Sequence, residues 1–408
     1  MSNERQLSDL DRMAFARGAL TRRDLLRRAG MAGGALAGAS LLAACGSSSG
    51  GGSSTPASSG GAPSFPHTVS SSWTFSNWPL YIDTEKKTHH PSLEAFDKKY
   101  NTTTKYLEDI EDNDSFFGKV KAQLEAGQSI DRDIVTLTDW MAGKWVALGY
   151  AEQLDKSLLP NVEANQTATL RGRSIDPNDD HLVPWQSGFT GIAYNPKLTG
   201  GELTAISDLW DPKFKGKVTC LTEMRDTLGL VMLDLGIDPA QCTVDDAQKA
   251  VDALQPQVDS GQIRKFTGND YAGDLAKGNV VACMGWSGDV VQLQFDNPDL
   301  KFAIPDKGGM IWTDNMMIPK NAANPYNAHL WMNFYYQPEI AAMVEDWVNY
   351  ICPVDGAKEA LVAKDPSIAN NPLIFPPQTT LDQVHVFKAL TPDEDLQFNQ
   401  LFQGLIGG

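Results

Sequence analysis

From Ser70 onward the apolar positions alternate between two periods. Short apolar or every-second-residue runs, which favour strands, are each followed by stretches with apolar residues at helical spacing. Strands are expected at Trp73 to Trp78, Thr103 to Leu107 and Asp133 to Leu137, and helices at Ser92 to Tyr100, Asp114 to Ala126 and Trp140 to Leu148. A second set places strands at Val218 to Thr222, Ile263 to Thr267 and Val280 to Gly285, with helices at Thr227 to Leu235, Asp245 to Val258 and Asp274 to Lys277. Strand and helix in turn imply parallel sheets with right-handed crossovers. Between the sets, His181 to Ala193 (HLVPWQSGFTGIA) is apolar and broken by Pro184 and Ser187-Gly188, and reads as a strand crossing between domains. Met310 to Ile318 brings the chain back. Two crossings predict a two-lobed α/β body, two parallel-type sheets joined by two crossing strands with a cleft between lobes. The tail from Ala323 is mostly helical, most clearly at Asn324 to Tyr336 and Pro338 to Asn349.

The N-terminus carries a different pattern. Thr21-Arg22-Arg23-Asp24-Leu25-Leu26 resembles a twin-arginine export motif and precedes an uncharged Gly/Ala-rich run from Ala29 to Ala44. That run is too short and too weakly apolar to span a bilayer and reads as a signal segment. Leu42-Ala43-Ala44-Cys45 resembles a bacterial lipobox, with Cys45 the lipidated residue. Residues 46 to 65 are almost all Gly, Ser, Pro, Ala and Thr, a flexible tether of order 25 Å end to end. The expected organisation is a signal at 1–44, lipidated Cys and linker at 45–69, lobe 1 at 70–187 and 313–357, and lobe 2 at 188–312 and 358–408. The product is expected to be exported and lipid-anchored at the outer face of the cell membrane, and monomeric.

Composition narrows the chemistry. The 408 residues are 42% hydrophobic with net charge −17. The first 44 carry seven arginines against four acids, a surplus of three, so the remainder stands at −20. Such an acidic body disfavours nucleic acid and favours approach of cations. Four cysteines follow Cys45, namely Cys220, Cys242, Cys283 and Cys352, at spacings that match no zinc pattern. They read as buried thiols or one disulfide, with three pairings open. No P-loop or GxGxxG occurs, so no cofactor is expected, and no metal site either.

Candidate chemistry gathers at strand ends. In GGMIWTDNMMIP, Gly308 to Pro319, Trp312 and Asp314 are two residues apart and share one face of an extended segment. An indole face attracts a cation, and a carboxylate accepts charge-assisted hydrogen bonds from an ammonium. Alone, this is more plainly a core strand with a packing Trp. The same chemistry recurs, however: Trp286 closes the strand from Val280, and Glu223 and Asp226 follow the strand from Val218. In open α/β sheets ligands sit beyond the carboxyl ends of strands, so these five converge on one cleft. The aromatics of Asn77-Trp78-Pro79-Leu80-Tyr81, and Trp140 after Thr138 and Asp139, are equally readable as cleft wall or core, whereas Tyr350 reads more readily as core. An exported hydrolase using Glu223 and Asp226 as acid and base is the alternative, although no nucleophile or metal cluster accompanies them. A third reading, a binding protein for an amino acid or peptide, requires a cation in the cleft, for which Lys388 or Arg225 is the candidate.

Four segments carry a resemblance: FSNWPLYI at Phe75 to Ile82, SDLWDPKFKGKV at Ser207 to Val218, MGWSG at Met284 to Gly288, and GGMIWTDNMMIP. From about Ser70 to its end the chain resembles the periplasmic polyamine-binding proteins of ABC importers. The resemblance implies a type II periplasmic-binding-protein fold, spermidine or putrescine as ligand, a membrane permease as partner and no catalysis. It places Trp78 and Tyr81 on the family's first aromatic pair, Thr138 and Trp140 on its Ser and Tyr, and Glu223 and Asp226 on its carboxylate pair. Trp286, Trp312, Asp314 and Tyr350 match its aromatics and central acid. Lys388 stands where the family has Gln, and Gly268 where it has Ser. A Lys pointing inward is expected to repel one ammonium.

Overall fold

The computed structural model describes residues 64–407 except positions 87 and 111. The export motif, Cys45 and nearly all of the tether lie outside the described residues. Among those residues the strands are β1 (Trp73–Asn77), β2 (Thr104–Glu108), β3 (Ile134–Thr138), β4 (Val183–Tyr194), β5 (Val218–Leu221), β6 (Ile263–Thr267), β7 (Ala282–Trp286), β8 (Lys301–Ala303), β9 (Gly309–Met317) and β10 (Val384–His385). The longer helices are α1 (Pro91–Tyr100), α2 (Asn113–Glu125), α3 (Asp139–Ala147), α4 (Met224–Asp234), α5 (Val244–Asp259), α6 (Ser287–Asp296), α7 (Pro325–Tyr335), α8 (Pro338–Val348) and α9 (Pro392–Ile406).

The two parallel groups expected from the sequence are present, β2-β1-β3 and β7-β5-β6. The crossing strands fuse them into one network of order β2-β1-β3-β9-β4-β7-β5-β6, with β8 beside β4 and β10 beside β9. β4 and β9 run antiparallel from Val183↔Met316 to Thr190↔Met310, and each pairs antiparallel with its outer neighbour, β7 or β3. All twelve residues of β4 are buried, which explains an apolar run without alternation: protein covers both of its faces.

Apolar packing divides the molecule on either side of these strands. Trp73, Phe75, Trp185 and Trp331 lie in one cluster and Phe116, Val135 and Trp145 in another, on the β1–β3 side. Ile192, Leu228, Leu254 and Met284 lie in the cluster on the β5–β7 side. The tail departs from the expected boundary. Ala357, Leu361, Ile368 and Ile374 share the cluster of Trp73 and Phe75, so the stretch after position 357 packs in the first lobe. Its apolar residues meet the face of α8. The chain changes sides only on the way to β10, after which Phe398, Phe402 and Leu405 of α9 join the second-lobe cluster. Cys220, Cys242, Cys283 and Cys352 are all buried free thiols.

Candidate functional site

A cavity of about 380 Å³ opens where the carboxyl ends of β1, β3, β5 and β7 face β9. Trp78, Tyr81, Thr138, Trp140, Glu223, Asp226, Trp286, Trp312, Asp314 and Tyr350 all line it. Most arrive from the end of an element, and Trp312 and Asp314 from the middle of β9. Thr138 is the last residue of β3 and Trp140 the second of α3. Glu223 caps α4, its side chain accepting from the Arg225 amide, and Asp226 sits in that helix's first turn. Trp286 ends β7, Trp312 and Asp314 share one face of β9, and Tyr350 follows α8. Thr313, between them, turns the other way and its hydroxyl meets that of Ser187 at 2.8 Å.

The two innermost acids are almost wholly enclosed. Asp314 is 4% exposed, and its Oδ1 accepts from the Thr138 hydroxyl at 2.7 Å. Asn113 orients that hydroxyl, donating to it at 2.9 Å. Burial pushes the Asp314 carboxyl up to about 7, against the pull of Thr138 and of the facing Tyr81 hydroxyl. That hydroxyl itself falls short of ordinary hydrogen-bond geometry. Asp226 is 6% exposed and accepts from Thr190 Oγ1 at 2.8 Å and from Trp286 Nε1 at 2.7 Å. Burial raises it to about 6 while those two hydrogen bonds and Arg225 pull it down. Glu223 is also raised, by burial first, with Arg225 opposing and Asp226 reinforcing.

The rings are held as tightly as the acids. Trp286 Nε1 is committed to Asp226 and its backbone amide donates to the Tyr271 hydroxyl at 2.8 Å, so the indole plane is fixed at the second-lobe wall. Trp312 Nε1 donates to Thr190 Oγ1 at 3.1 Å, which makes Thr190 the bridge between an indole and a carboxylate. Tyr350 packs at 5.6 Å from Trp312 and edge-on at 5.5 Å from Tyr81, and its hydroxyl donates to Asp289 Oδ1 at 2.9 Å. Trp78 donates to the Thr136 carbonyl at 3.0 Å, and the ring of Trp140 lies 3.8 Å beneath the Arg225 guanidinium. Two enclosed acids between flat, immobilised rings can take positive charge joined by an apolar chain.

Sequence reasoning missed Thr190, Asp289 and Tyr271, which act behind the walls. Thr190 is one polar residue in an apolar crossing strand, and its partner Asp226 is 36 positions away, so only the strand itself was a signal. Lys388 lines the cavity as expected, but the charge expected to repel an ammonium is not free. Its ammonium donates to the Cys242 carbonyl at 2.9 Å and to Glu394 at 2.7 Å, so a second-lobe acid neutralises its charge. Gly268 does line the cavity and leaves open space where a side chain would stand. Arg173, also lining it, ion-pairs with Asp139 and hydrogen-bonds Asn315.

The family model of the bacterial extracellular solute-binding proteins matches residues 92–376. The chain belongs to that family. Its members bind solutes for transport and are not classed by a catalytic reaction. A putrescine-binding periplasmic protein of Pseudomonas aeruginosa is 28% identical over 333 residues, 77% of this chain and 86% of that protein. A spermidine/putrescine-binding periplasmic protein of Escherichia coli is 26% identical over 309 residues, 75% and 84% of the two chains. Among solved structures, a putative spermidine/putrescine ABC transporter from Listeria monocytogenes superposes with TM-score 0.73 at 26% identity, over 82% of this chain and 99% of that one. The solute-binding-protein fold is therefore the two-lobed fold expected, and among the described residues no helix is long and apolar enough to cross a membrane.

Proposed function

We propose that this protein is the extracytoplasmic receptor of an ABC importer and binds a linear polyamine, spermidine or putrescine, for delivery to a membrane permease. The observation that carries the reading is the pair Asp314 and Asp226. Both are buried in one cavity, and among the described residues neither forms an ion pair with Lys or Arg. An enclosed carboxylate without a counter-ion is costly, and a ligand ammonium relieves that cost while the cleft is closed. Trp286 and Trp312 are the ring faces for the methylene chain, Glu223 takes a further amine, and Trp78, Tyr81, Trp140 and Tyr350 complete the box. Thr138 holds Asp314. The relatives named for putrescine and spermidine support the same ligand class.

Ligand spanning the cleft selects the closed form by bridging a lobe built from 70–187 and 313–374 and one built from 188–312 and the chain after β10, with β4 and β9 as the hinge. Tethering through Cys45 keeps this body at the outer face of the membrane. The test is a thermal-shift series with spermidine, putrescine, amino acids and sugars, each in excess. Polyamines alone should raise the melting temperature through preferential binding to the folded state. A shift with an amino acid or sugar and none with either polyamine overturns the reading.

A further inference from the structure

Arg225 stands at a fork between two acids. Its Nη2 donates to Asp395 Oδ1 at 2.6 Å, whereas its Nη1 lies 3.8 Å from Glu223 Oε1. The guanidinium is stacked 3.8 Å from the centre of the Trp140 ring, and the Arg225 side chain is only 8% exposed. The other oxygen of Asp395 is 3.4 Å from the Lys144 ammonium. Trp140 and Lys144 are one turn apart on α3 in the first lobe. Glu223 and Arg225 flank the start of α4, and Asp395 lies in the first turn of α9, both in the second lobe. The five side chains therefore span the mouth of the cleft, and Asp395 is the only member that touches cations from both lobes.

The position of Asp395 is set locally. Thr391 caps α9, its hydroxyl accepting from the Glu394 amide, and Asn399 donates to Asp395 Oδ1 at 3.3 Å. Held there, Asp395 keeps the guanidinium in a direct ion pair and at a longer distance from Glu223. Were Arg225 to turn fully to Glu223, it would cancel the charge that an arriving ammonium needs. Lys144 reaches Asp395 only when α3 and α9 are close, so the arrangement belongs to the closed cleft.

We propose that Asp395 is a positioning residue of the cleft: it holds Arg225 on Trp140 and away from Glu223, and through Lys144 it couples that arrangement to lobe closure. The proposal rests on the polyamine reading for its ligand, and on the ion-pair geometry alone for its effect on closure. Asp395 does not line the cavity, so its effect on the ligand passes through Arg225 and Glu223 and, by way of closure, through Lys144.

The experiment is stopped-flow binding of spermidine and putrescine to the full chain carrying Asp395→Asn, Asp395→Glu, Lys144→Met, Glu223→Gln, or Asp395→Asn with Glu223→Gln. Asp395→Asn should raise koff roughly tenfold, since loss of a buried charge partner acts on dissociation, and leave kon within about twofold. Lys144→Met should raise koff in the same direction, and Asp395→Glu should restore part of the loss. In the Glu223→Gln background, Asp395→Asn should raise koff by less than it does in wild type, leaving only the increase that Lys144→Met gives alone, because neighbours acting through one group are not additive. Equal effects in both backgrounds overturn the route through Arg225 and Glu223, and an unchanged koff overturns the proposal and leaves Asp395 with a role in stability only. Spin labels on the two lobes separate this from failure of the ligand reading. If wild type binds no polyamine, the functional reading is lost, yet Lys144→Met and Asp395→Asn should still lengthen the ligand-free interlobe distance. An unchanged distance in whichever of these variants keeps its fold overturns the closure part.

Discussion

Asp314 and Asp226 are held in ways that make opposite demands on their charge. Burial disfavours ionisation, and the hydroxyls and indole aimed at them favour it, with the net result that they stand at about 7 and about 6. A carboxyl with a folded-state pKa above its unfolded value binds a proton more tightly when folded. Ligand-free stability should therefore be fully favoured below the unfolded value of 3.8 and decline as pH rises through 6 to 7, then level off. An ammonium ligand reverses the preference, because it pairs with the ionised acid. Affinity should rise with pH up to about 7, by at most about tenfold per pH unit for each acid, with protons released on binding. Calorimetry in buffers of different ionisation enthalpy at about pH 6 reads that release directly, and a pH-independent affinity without proton release contradicts the assignment. Asp314→Asn should weaken polyamine binding by about 1.5–3 kcal/mol, the range for a hydrogen bond to a charged group, and should flatten the pH profile near 7. Unchanged affinity in that variant removes Asp314 from the site. Trp286, Glu223 and Asp226 were legible because they follow apolar runs, and Trp312 and Asp314 because a two-residue spacing within a strand fixes one face. Their holders were not, since Asp289 and Tyr350 are 61 residues apart and Arg225 and Asp395 are 170.

β4 carries the walls of the cleft on a backbone with no spare room. A Cβ at Gly188 would come within 2.5 Å of the Trp312 ring and 3.0 Å of Tyr350, and one at Gly288 within 2.4 Å of Tyr350. The missing side chains are thus what lets two rings lie flat against the crossing strand and the start of α6. Gly188→Ala should displace Trp312 into the cavity, lowering stability by about 1–3 kcal/mol, the usual cost of overpacking, and weakening ligand binding as well. Denaturant melts and titration of the same sample check both; a variant with wild-type affinity shows that the ring can move elsewhere. The crossing strands were readable as long apolar runs and most helices because their period persists over several turns, and the helix from Val244 was readable despite Pro256. β8, with three residues, and β10, with two, are too short to show a period. The stretch from 358 to 374 packs in the other lobe from the one expected, for a related reason. Its short helices have an apolar face, but a face alone does not say which lobe it meets, and only tertiary packing against α8 decides.

The chain after residue 44 carries a net charge of −20, while the acids proposed to hold ligand are 4% and 6% exposed. These two facts act on different steps. Long-range attraction draws a polycation toward the cleft from outside, where mobile ions screen it over about 8 Å at physiological salt and about 3 Å at 1 M. Once the lobes have closed, the proposed ammonium–carboxylate pairs would lie in a cavity walled by Trp286, Trp312 and Tyr350, where salt has little access. Association should therefore slow steeply as salt is raised, and dissociation should barely change, so that affinity is lost almost wholly through kon. The cleft tryptophans supply the signal for stopped-flow fluorescence over a salt series. Spermidine should show the steeper slope than putrescine, because it carries one more positive charge through the same field. If koff instead rises in step with the fall in kon, the bound amines are exposed to solvent, and the closed cleft seen here is not the state that holds the ligand.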